Sequence, residues 1–511
     1  MMETLSIATS ATVLPALLAC VIAFYVFFHC LTTEKKGQNS SKIPMQSVRG
    51  KLQRKLDKVE KAMVGMGKFG PGSGIDVNVL LVESSCSLEQ EMVVKALGLL
   101  ARKYPLLRMR LVEGDDDLSH FIELDDFVTP SFRRGQSSST DWERCFAEDS
   151  KIPFDYSRGP LWRVTQLQEV QSESGNFKNA LLFTFHHCIC DGGSIMALYS
   201  QFLDYLNLLY KHETIQVQSM ELRPPMTSLL QHKTKTSSFE KIFFSILPMM
   251  IKIKSFVTKP ANNSFLEVFP LAKPEVSIAE KKTCVLPKEV NIDEMARIAK
   301  LAKEYKSTVH GVVTAATHIA LAQILNSGAR EKSAKVNIKS SFNVSMRKEC
   351  LPEVKPDEFG CFISIIQQQT NVQTKQEYTK EEFWKRAAEF TSKVHGMMKQ
   401  QKHFEFVKFL NNVNFKSFQN SLGEGGRFDN IFNISNRGRY VFGTEDTGPF
   451  KFNGTYFAMA EQHCGPVFTN NLVSVNGKLF LGLVYYPHIL TEEHASQFIN
   501  LTLCILRKAI A

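Results

Sequence analysis

Two adjacent histidines, an aspartate and two glycines lie close together in the segment LLFTFHHCICDGGSIMALYS, residues 181–200. His187 is four residues before Asp191, and Gly192 and Gly193 follow directly. A neutral imidazole accepts protons near neutral pH, so a histidine held at the end of an apolar strand is a natural general base. Glycines permit a backbone geometry and a substrate approach that a side chain would block. The segment therefore predicts acid–base chemistry at a strand end.

Several residues of this segment have more than one interpretation. A single histidine at a strand end is more often a satisfied structural group than a catalytic one. Asp191 could contact the histidine directly, or it could pair with an arginine elsewhere and so hold the loop. Cys188 and Cys190 beside the histidines suggest zinc, but no second C-x-x-C or H-x-x-x-H pair follows, and we expect no metal. The helix predicted from about Ser194 would direct its free N–H groups to the same region.

The spacing H-H-x-x-x-D-G of residues 186–192 resembles the motif of the CoA-dependent acyltransferase superfamily. That superfamily includes peptide-synthetase condensation domains, plant acyltransferases, alcohol O-acetyltransferases, and wax ester or diacylglycerol synthases. Other similar segments occur in family order, namely KYPLLRMRLVEG, FDYSRGPLWRV, FNVSMRKECLP with FGCFIS, and NISNRG. The last is similar to the S-N-x-G of the alcohol acetyltransferase and mycobacterial lipid acyltransferase branch, and it does not match the D-F-G-W-G of the plant branch. The resemblance covers roughly residues 44–510.

The resemblance implies a fold and a role for each motif residue. The fold would be α/β with two similar lobes, each a mixed sheet flanked by helices as in chloramphenicol acetyltransferase, meeting at a tunnel. His187 would act midway along the tunnel as the general base on an acceptor hydroxyl or amine, which then attacks a thioester carbonyl. His186 would be structural. Asp191 would hold the motif loop through an ion pair with Arg347, and Gly192 would keep the channel open.

Further expectations concern the rest of the site and its ligands. The oxyanion of the tetrahedral intermediate needs a donor, for which His187 itself or the amide of Gly193 is our expectation. Ser435 and Asn436 of NISNRG are candidate channel residues. Acyl-CoA would be a co-substrate, and neither a bound cofactor nor a metal is expected.

The elements that must position these residues alternate irregularly between helix and strand, which predicts α/β layers. At 511 residues, the chain exceeds the usual size of a single core. We expect a first lobe at residues 41–225, a linker at 226–274, and a second lobe at 275–511. Local signals predict a helix over Ser87–Pro105, where Ser87 with Glu89 and Gln90 fit a helix start. They also predict a hairpin through Asn476-Gly477 and a closing helix capped by Thr491.

Two segments bear on membranes. Ala11–Leu31 has no charged residue over 21 positions, which predicts a membrane-spanning anchor within residues 1–40. Only Glu3 is charged before it, whereas lysines follow, so the catalytic part should be cytosolic, with the endoplasmic reticulum as the expected membrane. A signal sequence leading to a luminal domain is the alternative, and the six N-x-S/T sequons would matter only then. Phe239–Phe256 is strongly apolar, and a buried crossover segment is favoured over an interfacial or channel helix.

Composition narrows the possible partners. The net charge of +10 is spread along the chain without a nucleic-acid-binding signature, so a nucleic-acid role is not expected, although a cofactor phosphate or an anionic membrane would suit the charge. The eleven scattered cysteines suggest reduced thiols. We expect a monomeric, membrane-anchored acyltransferase that moves an acyl group from acyl-CoA to a lipophilic alcohol. The alternatives are an amine acceptor or a condensation-type reaction, and a non-catalytic binding protein on the same fold.

Overall fold

The computed structural model describes most of the chain from residue 51 onward. The described residues are 51–66, 74–114, 117–125, 131–257, 268–269, 277, 280–329, 332–414, 418, 432–443, 448–461 and 465–511. The anchor predicted at Ala11–Leu31 lies outside them and stays a prediction. Within the described residues, no single helix has the length and apolar composition of a membrane span. One bent pair, Ile292–Glu304 with Val309–Gly328 at 99°, reaches that length and composition only when both helices are taken together.

The strands form two large sheets and one small sheet. In chain order they are β1 (Gln53–Lys55), β2 (Ile75–Ser84), β3 (Met109–Gly114), β4 (Asp117–Glu123), β5 (Ser131–Ser138), β6 (Trp162–Gln168), β7 (Val170–Gln171), β8 (Phe177–His186), β9 (Cys284–Val290), β10 (Lys335–Ser345), β11 (Ile363–Gln373), β12 (Phe432–Tyr440), β13 (Phe450–Met459), β14 (Phe468–Val475) and β15 (Lys478–Tyr485).

The helices flank these sheets. In chain order they are α1 (Lys58–Met66), α2 (Gln90–Lys103), α3 (Trp142–Asp149), α4 (Gly192–Tyr210), α5 (Met226–Leu229), α6 (Ser238–Val257), α7 (Ile292–Glu304), α8 (Val309–Gly328), α9 (Lys380–Lys399), α10 (Glu405–Asn412) and α11 (Glu492–Ile510).

The sheet of the first lobe has the strand order β13-β2-β8-β6-β5, with the short β7 paired to β8. Only the β5–β6 pair is parallel, so the sheet is mixed. β8 is the central strand, and every residue from Asn179 to His186 is buried. A strand covered on both faces reads as a continuous apolar run rather than an alternating one, which explains the sequence ALLFTF. The motif histidines therefore follow the most enclosed strand of this lobe.

The sheet of the second lobe has the order β11-β10-β12-β14-β15-β9 and is also mixed. β12 pairs in parallel with β10 and β14, while the remaining pairs are antiparallel. Helix α8 is buried along almost its whole length and packs against α9 and α11. Its small residues, such as Ala315, Ala316 and Ala320, let the neighbouring elements approach closely. The molecule is thus a two-lobed α/β protein.

One strand crosses between the lobes. β13 lies late in the chain, but it pairs antiparallel with β2 over nine residues and completes the sheet of the first lobe. Helix α4 holds the crossing strand through Asn207, which donates to the carbonyl of Phe450 at 3.0 Å and accepts from its amide at 3.0 Å. The predicted linker at residues 226–274 divides the chain by sequence position, so it assigns β13 to the second lobe. The pairing of β13 with β2 joins segments more than 360 residues apart and places this strand in the sheet of the first lobe.

The predicted hairpin at Asn476-Gly477 and the predicted helix cap at Thr491 are both confirmed. Each depends on residues only a few positions apart. Asn476 and Gly477 have φ values of 49° and 83° and join β14 to β15, as a type I′ hairpin requires. Thr491 caps α11 by accepting from the amide of His494 at 3.3 Å. The helix predicted over Ser87–Pro105 is present as α2 and begins at Gln90, one of the residues that indicated its start. Ser87 does not cap it, because its hydroxyl donates to Glu169 Oε1 at 2.6 Å.

The apolar segment Phe239–Phe256 is a surface helix, α6, and the prediction of a buried crossover is wrong. Phe239 is 78% exposed, Phe243 is 41% exposed and Met249 is 42% exposed. The helix packs on α10 through Phe244 and Phe409, whose ring centroids are 6.0 Å apart. The three exposed side chains Phe239, Phe243 and Met249 therefore form an apolar part of the described surface of α6.

Candidate active site

The main chain at the end of β8 is held from both sides. The amide of His186 donates to the carbonyl of Leu161 at 2.9 Å, and the amide of His187 donates to the carbonyl of Gly74 at 2.7 Å. Gly74 has a φ of +86°, and a Cβ there would lie 2.8 Å from Nε2 of His186. A glycine is therefore needed at this position both for conformation and for space. The two histidines leave the strand in fixed directions.

The ring of His187 has a defined tautomer. Its Nδ1 lies 2.7 Å from the carbonyl oxygen of Cys190, which can only accept, so Nδ1 carries the proton and donates. The lone pair is then on Nε2, the nitrogen that a general base needs. The residue is 9% exposed, and the Sγ of Cys361 lies 4.0 Å from Nδ1. A rigid, nearly enclosed imidazole with a basic Nε2 is suited to accept a proton from a bound substrate.

His186 has a different environment. It is 1% exposed, its Nε2 lies 3.2 Å from the hydroxyl of Tyr156, and its Nδ1 accepts from the amide of Cys188 at 3.3 Å. The rings of Phe154 and Tyr156 meet it edge-on. Burial, and after it the neighbouring His187, lowers the pKa of His186 to about 3, so the ring is neutral at physiological pH. These contacts place His186 in the packing of the loop.

Asp191 is the N-cap of α4. Its Oδ1 accepts from the amide of Ser194 at 2.8 Å and from Arg347 Nη2 at 2.7 Å, and its Oδ2 accepts from the amide of Phe362 at 3.1 Å. Burial opposes ionisation, but the Arg347 guanidinium and these hydrogen bonds outweigh it and hold the pKa of the carboxyl below its usual range. None of these three hydrogen bonds goes to a ring nitrogen of His187. The carboxylate therefore holds the loop rather than orienting the imidazole directly.

Arg347 brings the second lobe to the same point. It follows β10 and is 8% exposed. Besides Asp191, it donates to the hydroxyl of Ser194 at 2.8 Å and, through Nη1, to the carbonyls of Lys355 and Glu358 at 2.9 and 2.8 Å. The structure thus brings together the aspartate and arginine that the family resemblance paired. Their ion pair, 156 residues apart in sequence, joins the two lobes.

The two glycines of the motif lie beneath two arginines of the second lobe. A Cβ at Gly193 would be 3.1 Å from Nε of Arg347. A Cβ at Gly192 would be 2.7 Å from Cγ and 2.9 Å from Nε of Arg437. The space over Gly192, which the resemblance assigns to an open channel, is therefore occupied here by the side chain of Arg437.

The predicted channel residues Ser435 and Asn436 lie on β12 and bond within their own lobe. The hydroxyl of Ser435 accepts from Asn343 at 3.1 Å, and the side chain of Asn436 accepts from the amide of Gly438 at 2.9 Å. Their neighbour Arg437 is the residue of this segment that reaches the motif. No spacing signal could have identified it, because its partners come from other strands.

Ser194 is a further residue of the site that was not predicted. Its hydroxyl accepts from the amide of Gly360 at 3.0 Å and from Arg347, and so it links α4 to the loop before β11. A serine three residues after a capping aspartate was the available signal.

The thiols near His187 are neutral and enclosed. Burial raises the pKa of the Cys188, Cys190 and Cys361 thiols well above the usual range. Since metal ligation and nucleophilic attack both require the thiolate, these cysteines act as small apolar residues. Within the described part of the chain, no group of three or more His, Cys, Asp or Glu side chains could hold a metal ion.

Known proteins similar to this chain indicate its family and its fold. Residues 117–501 match the alcohol acetyltransferase family. The polyketide synthase PksN of Bacillus subtilis (strain 168) is 27% identical over 170 residues, which are 33% of this chain and 3% of that much longer protein. The chain therefore spans only a small part of the length of such curated relatives.

Solved structures support the fold. The trichothecene 15-O-acetyltransferase of Fusarium sporotrichioides superposes with a TM-score of 0.66 at 13% identity, covering 91% of this chain and 97% of that one. The epimerization domain from the third module of tyrocidine synthetase B gives 0.60 at 14% identity, covering 92% and 98%. Both are similar to this chain in their two-lobed architecture. Because the family match extends over most of the sequence and includes the H-H-x-x-x-D-G segment, the chain belongs to the alcohol acetyltransferase family.

Proposed function

We propose that the protein transfers an acyl group from acyl-CoA to the hydroxyl of a lipophilic alcohol, with His187 as the general base. The observation that carries the proposal is the 2.7 Å contact between Nδ1 of His187 and the carbonyl oxygen of Cys190. Nδ1 donates to this carbonyl, so Nε2 is the basic nitrogen. Family membership supports the reaction class, and the fixed imidazole supplies the group that the reaction needs.

The reaction follows from this one base. Nε2 of His187 removes the proton of the acceptor hydroxyl as its oxygen attacks the thioester carbonyl carbon. The tetrahedral intermediate collapses with cleavage of the C–S bond, and the proton passes from the imidazolium to the departing CoA sulfur. The ester and free CoA are the products, and His187 returns to its neutral form. The amide of Gly193, at the start of α4, or His187 itself is our candidate for the donor to the oxyanion.

The choice of a lipophilic acceptor and a membrane location rests on two features. The segment Ala11–Leu31 has the length and composition of a single membrane anchor. The surface helix α6 presents the apolar side chains of Phe239, Phe243 and Met249 to the surroundings. Both features would keep the enzyme where lipophilic alcohols concentrate. The catalytic part would then be a cytosolic monomer on the endoplasmic reticulum membrane.

The experiment that tests the reaction uses the purified full-length protein. It is incubated with acyl-CoA donors of several chain lengths and with a panel of long-chain and polycyclic alcohols, short alcohols and amines, while the free thiol of CoA is measured. We expect thiol release that depends on the acceptor, with higher kcat/KM for the lipophilic alcohols. Thiol release without any acceptor dependence would indicate hydrolysis and contradict the proposal. No release with any donor would favour a binding protein on the same fold.

A second candidate is transfer to an amine or a condensation-type reaction. It is favoured by the structural likeness to a peptide-synthetase epimerization domain and by the match to a polyketide synthase. The same panel distinguishes the two candidates, because equal or higher kcat/KM for amines would select this second reaction.

A further inference from the structure

Arg437 extends from the second lobe to the first at the start of α4. It lies on β12 where the pairing with β14 shifts register between Asn436 and Arg439. Gly438, with a φ of +97°, allows this irregularity. A bulge in a strand re-aims a side chain, and here the redirected side chain is that of Arg437.

Two groups of the first lobe's sheet hold the guanidinium. Nη2 lies 3.2 Å from Oδ2 of Asp76 on β2, and Cζ lies 3.5 Å from the centre of the Phe457 ring on the crossing strand β13. The side chains of Arg437 and Asp76 are each 5% exposed. Arg437 as a whole residue is half-buried, so its exposed part is the main chain. Asp76 pairs across the sheet with Phe185, the residue before His186. Arg437 is thus fixed to β13 and to β2, the strand that pairs with the motif-bearing strand β8.

The aliphatic part of Arg437 passes over Gly192. A Cβ on Gly192 would approach its Cγ to 2.7 Å and its Cδ to 3.1 Å. A free arginine could move aside, but this guanidinium is paired on one side and stacked on the other. Gly192 begins α4 and is two residues after Cys190, whose carbonyl sets the tautomer of His187. A shift of Gly192 would therefore displace the group that orients the base.

We propose that Arg437 is a positioning residue for acyl transfer. Its pair with Asp76 and its contact with Gly192 fix the loop from Cys190 to Gly192, and so the direction of the His187 ring. It acts through this loop and not on the reacting atoms. The kinetic part of the inference rests on the proposed acyltransferase function, whereas the contact between Arg437 and Gly192 does not.

The first test asks whether Gly192 is required because of Arg437. We compare Gly192→Ala in the wild type and in the double variant Asp76→Asn/Arg437→Ala, which lacks the arginine and leaves no uncompensated buried charge. In the wild type, the added methyl group should lower kcat by about 10²-fold, as small misplacements of catalytic groups do. In the double variant, the same substitution should change kcat by about twofold or less, the scatter expected of non-interacting sites. Equal losses in both backgrounds would overturn the proposal, since Gly192 would then serve the tunnel itself.

Thermal midpoints give the same comparison without a substrate. Gly192→Ala should lower the midpoint more in the wild type than in the double variant. Additive midpoints would overturn the contact, whereas absence of turnover in the wild type with any acceptor would overturn only the proposed function. The two failures are therefore distinguishable.

The second test separates positioning from general stability. Asp76→Asn/Arg437→Ala should lower kcat with little change in the KM for acyl-CoA. The single variant Arg437→Lys keeps a charged side chain but loses the stacked plane, so it should retain part of the kcat that the double variant loses. The matched control is Glu123→Gln/Arg108→Ala. Arg108 is also a buried arginine, paired with Glu123 at 2.6 Å, but it precedes β3 and its partner lies on β4 of the small sheet. The control should lower the thermal midpoint and keep the kcat of the folded protein. A similar loss of kcat in the control would overturn the positioning role.

Discussion

The two motif histidines differ in what each ring nitrogen contacts, and this difference predicts opposite effects of substitution. His187→Ala should reduce kcat by about 10² to 10⁴, because a positioned base contributes about that factor. Acyl-CoA binding and the fold should be nearly unchanged. The measurement is CoA thiol release by the folded variant with acyl-CoA at saturation. Wild-type turnover in that sample would show that the motif is structural in this protein.

His186→Ala is the control. It should melt at a lower temperature and regain activity on cooling, since His186 is a packed ring. Burial lowers the pKa of His186 to about 3, so the ring is neutral at physiological pH and its removal takes away packing rather than charge. A loss of kcat in the folded control as large as that of His187→Ala would contradict this division of roles.

Asp191 and Arg347 form a buried pair whose side chains are 3% and 9% exposed. Asp191→Ala or Arg347→Ala should each cost about 3 to 5 kcal/mol of stability, because the remaining charge is left buried without its partner. The pKa of Asp191 is lowered in the folded state. This contribution is therefore full above the unfolded-state pKa of about 3.9 and is lost as the pH falls through the folded value. Thermal midpoints at neutral pH measure the effect, and two unchanged midpoints would exclude the pair.

The residues of the motif could be predicted from sequence because they lie within seven positions of one another. Arg347 could be predicted only through the family resemblance. Arg437 could not be predicted, since its partner Asp76 is 361 residues away and no local pattern links them. The contact between Gly192 and Arg437 could not be predicted for the same reason, as the group above Gly192 comes from another lobe.

At the scale of elements, the exposed face of α6 predicts an effect of the membrane on activity. With the full-length protein in vesicles that contain a long-chain alcohol, Phe239→Asp/Phe243→Asp should lower kcat/KM by about tenfold or more, since each buried Phe contributes roughly 1.5 to 3 kcal/mol. Activity on a short alcohol in water should not change. The control is Ile292→Asp, at a 54% exposed apolar residue of α7. Equal losses for both acceptors, or in the control, would contradict a lipid-facing role for α6.

The turns and helix ends that could be predicted from sequence are those that depend on residues close together in the chain. The hairpin at Asn476-Gly477 and the cap at Thr491 depend on neighbours a few positions away. Ser87 does not cap α2, because Glu169 binds its hydroxyl and accepts from the amide of Leu88 at 3.1 Å. The composition of α6 suggested burial, but which part of an apolar helix is covered depends on its tertiary neighbours, here α10.

At the scale of the whole molecule, charge asymmetry around Ala11–Leu31 predicts a cytosolic catalytic part. The sequon at Asn500 lies on the exposed surface of α11 and would accept a glycan in the lumen. The full-length protein expressed in eukaryotic cells should therefore show no mass loss with an endoglycosidase. A sequon introduced before Ala11 is the positive control and should be glycosylated. Endoglycosidase-sensitive mass on the native sequons would instead place the domain in the lumen.

The strand β13 imposes an order of events on synthesis. Ser84 ends β2 and Phe450 begins β13, and the difference, 450 − 84, is 366 residues. At about 5 to 20 residues per second, translation of that interval takes roughly 20 to 70 s. During this time the nascent chain holds β2 with one edge unpaired, and such edges are templates for aggregation. The first lobe can therefore close only after the ribosome has made nearly all of the second, and until then that edge is open to pairing with other chains.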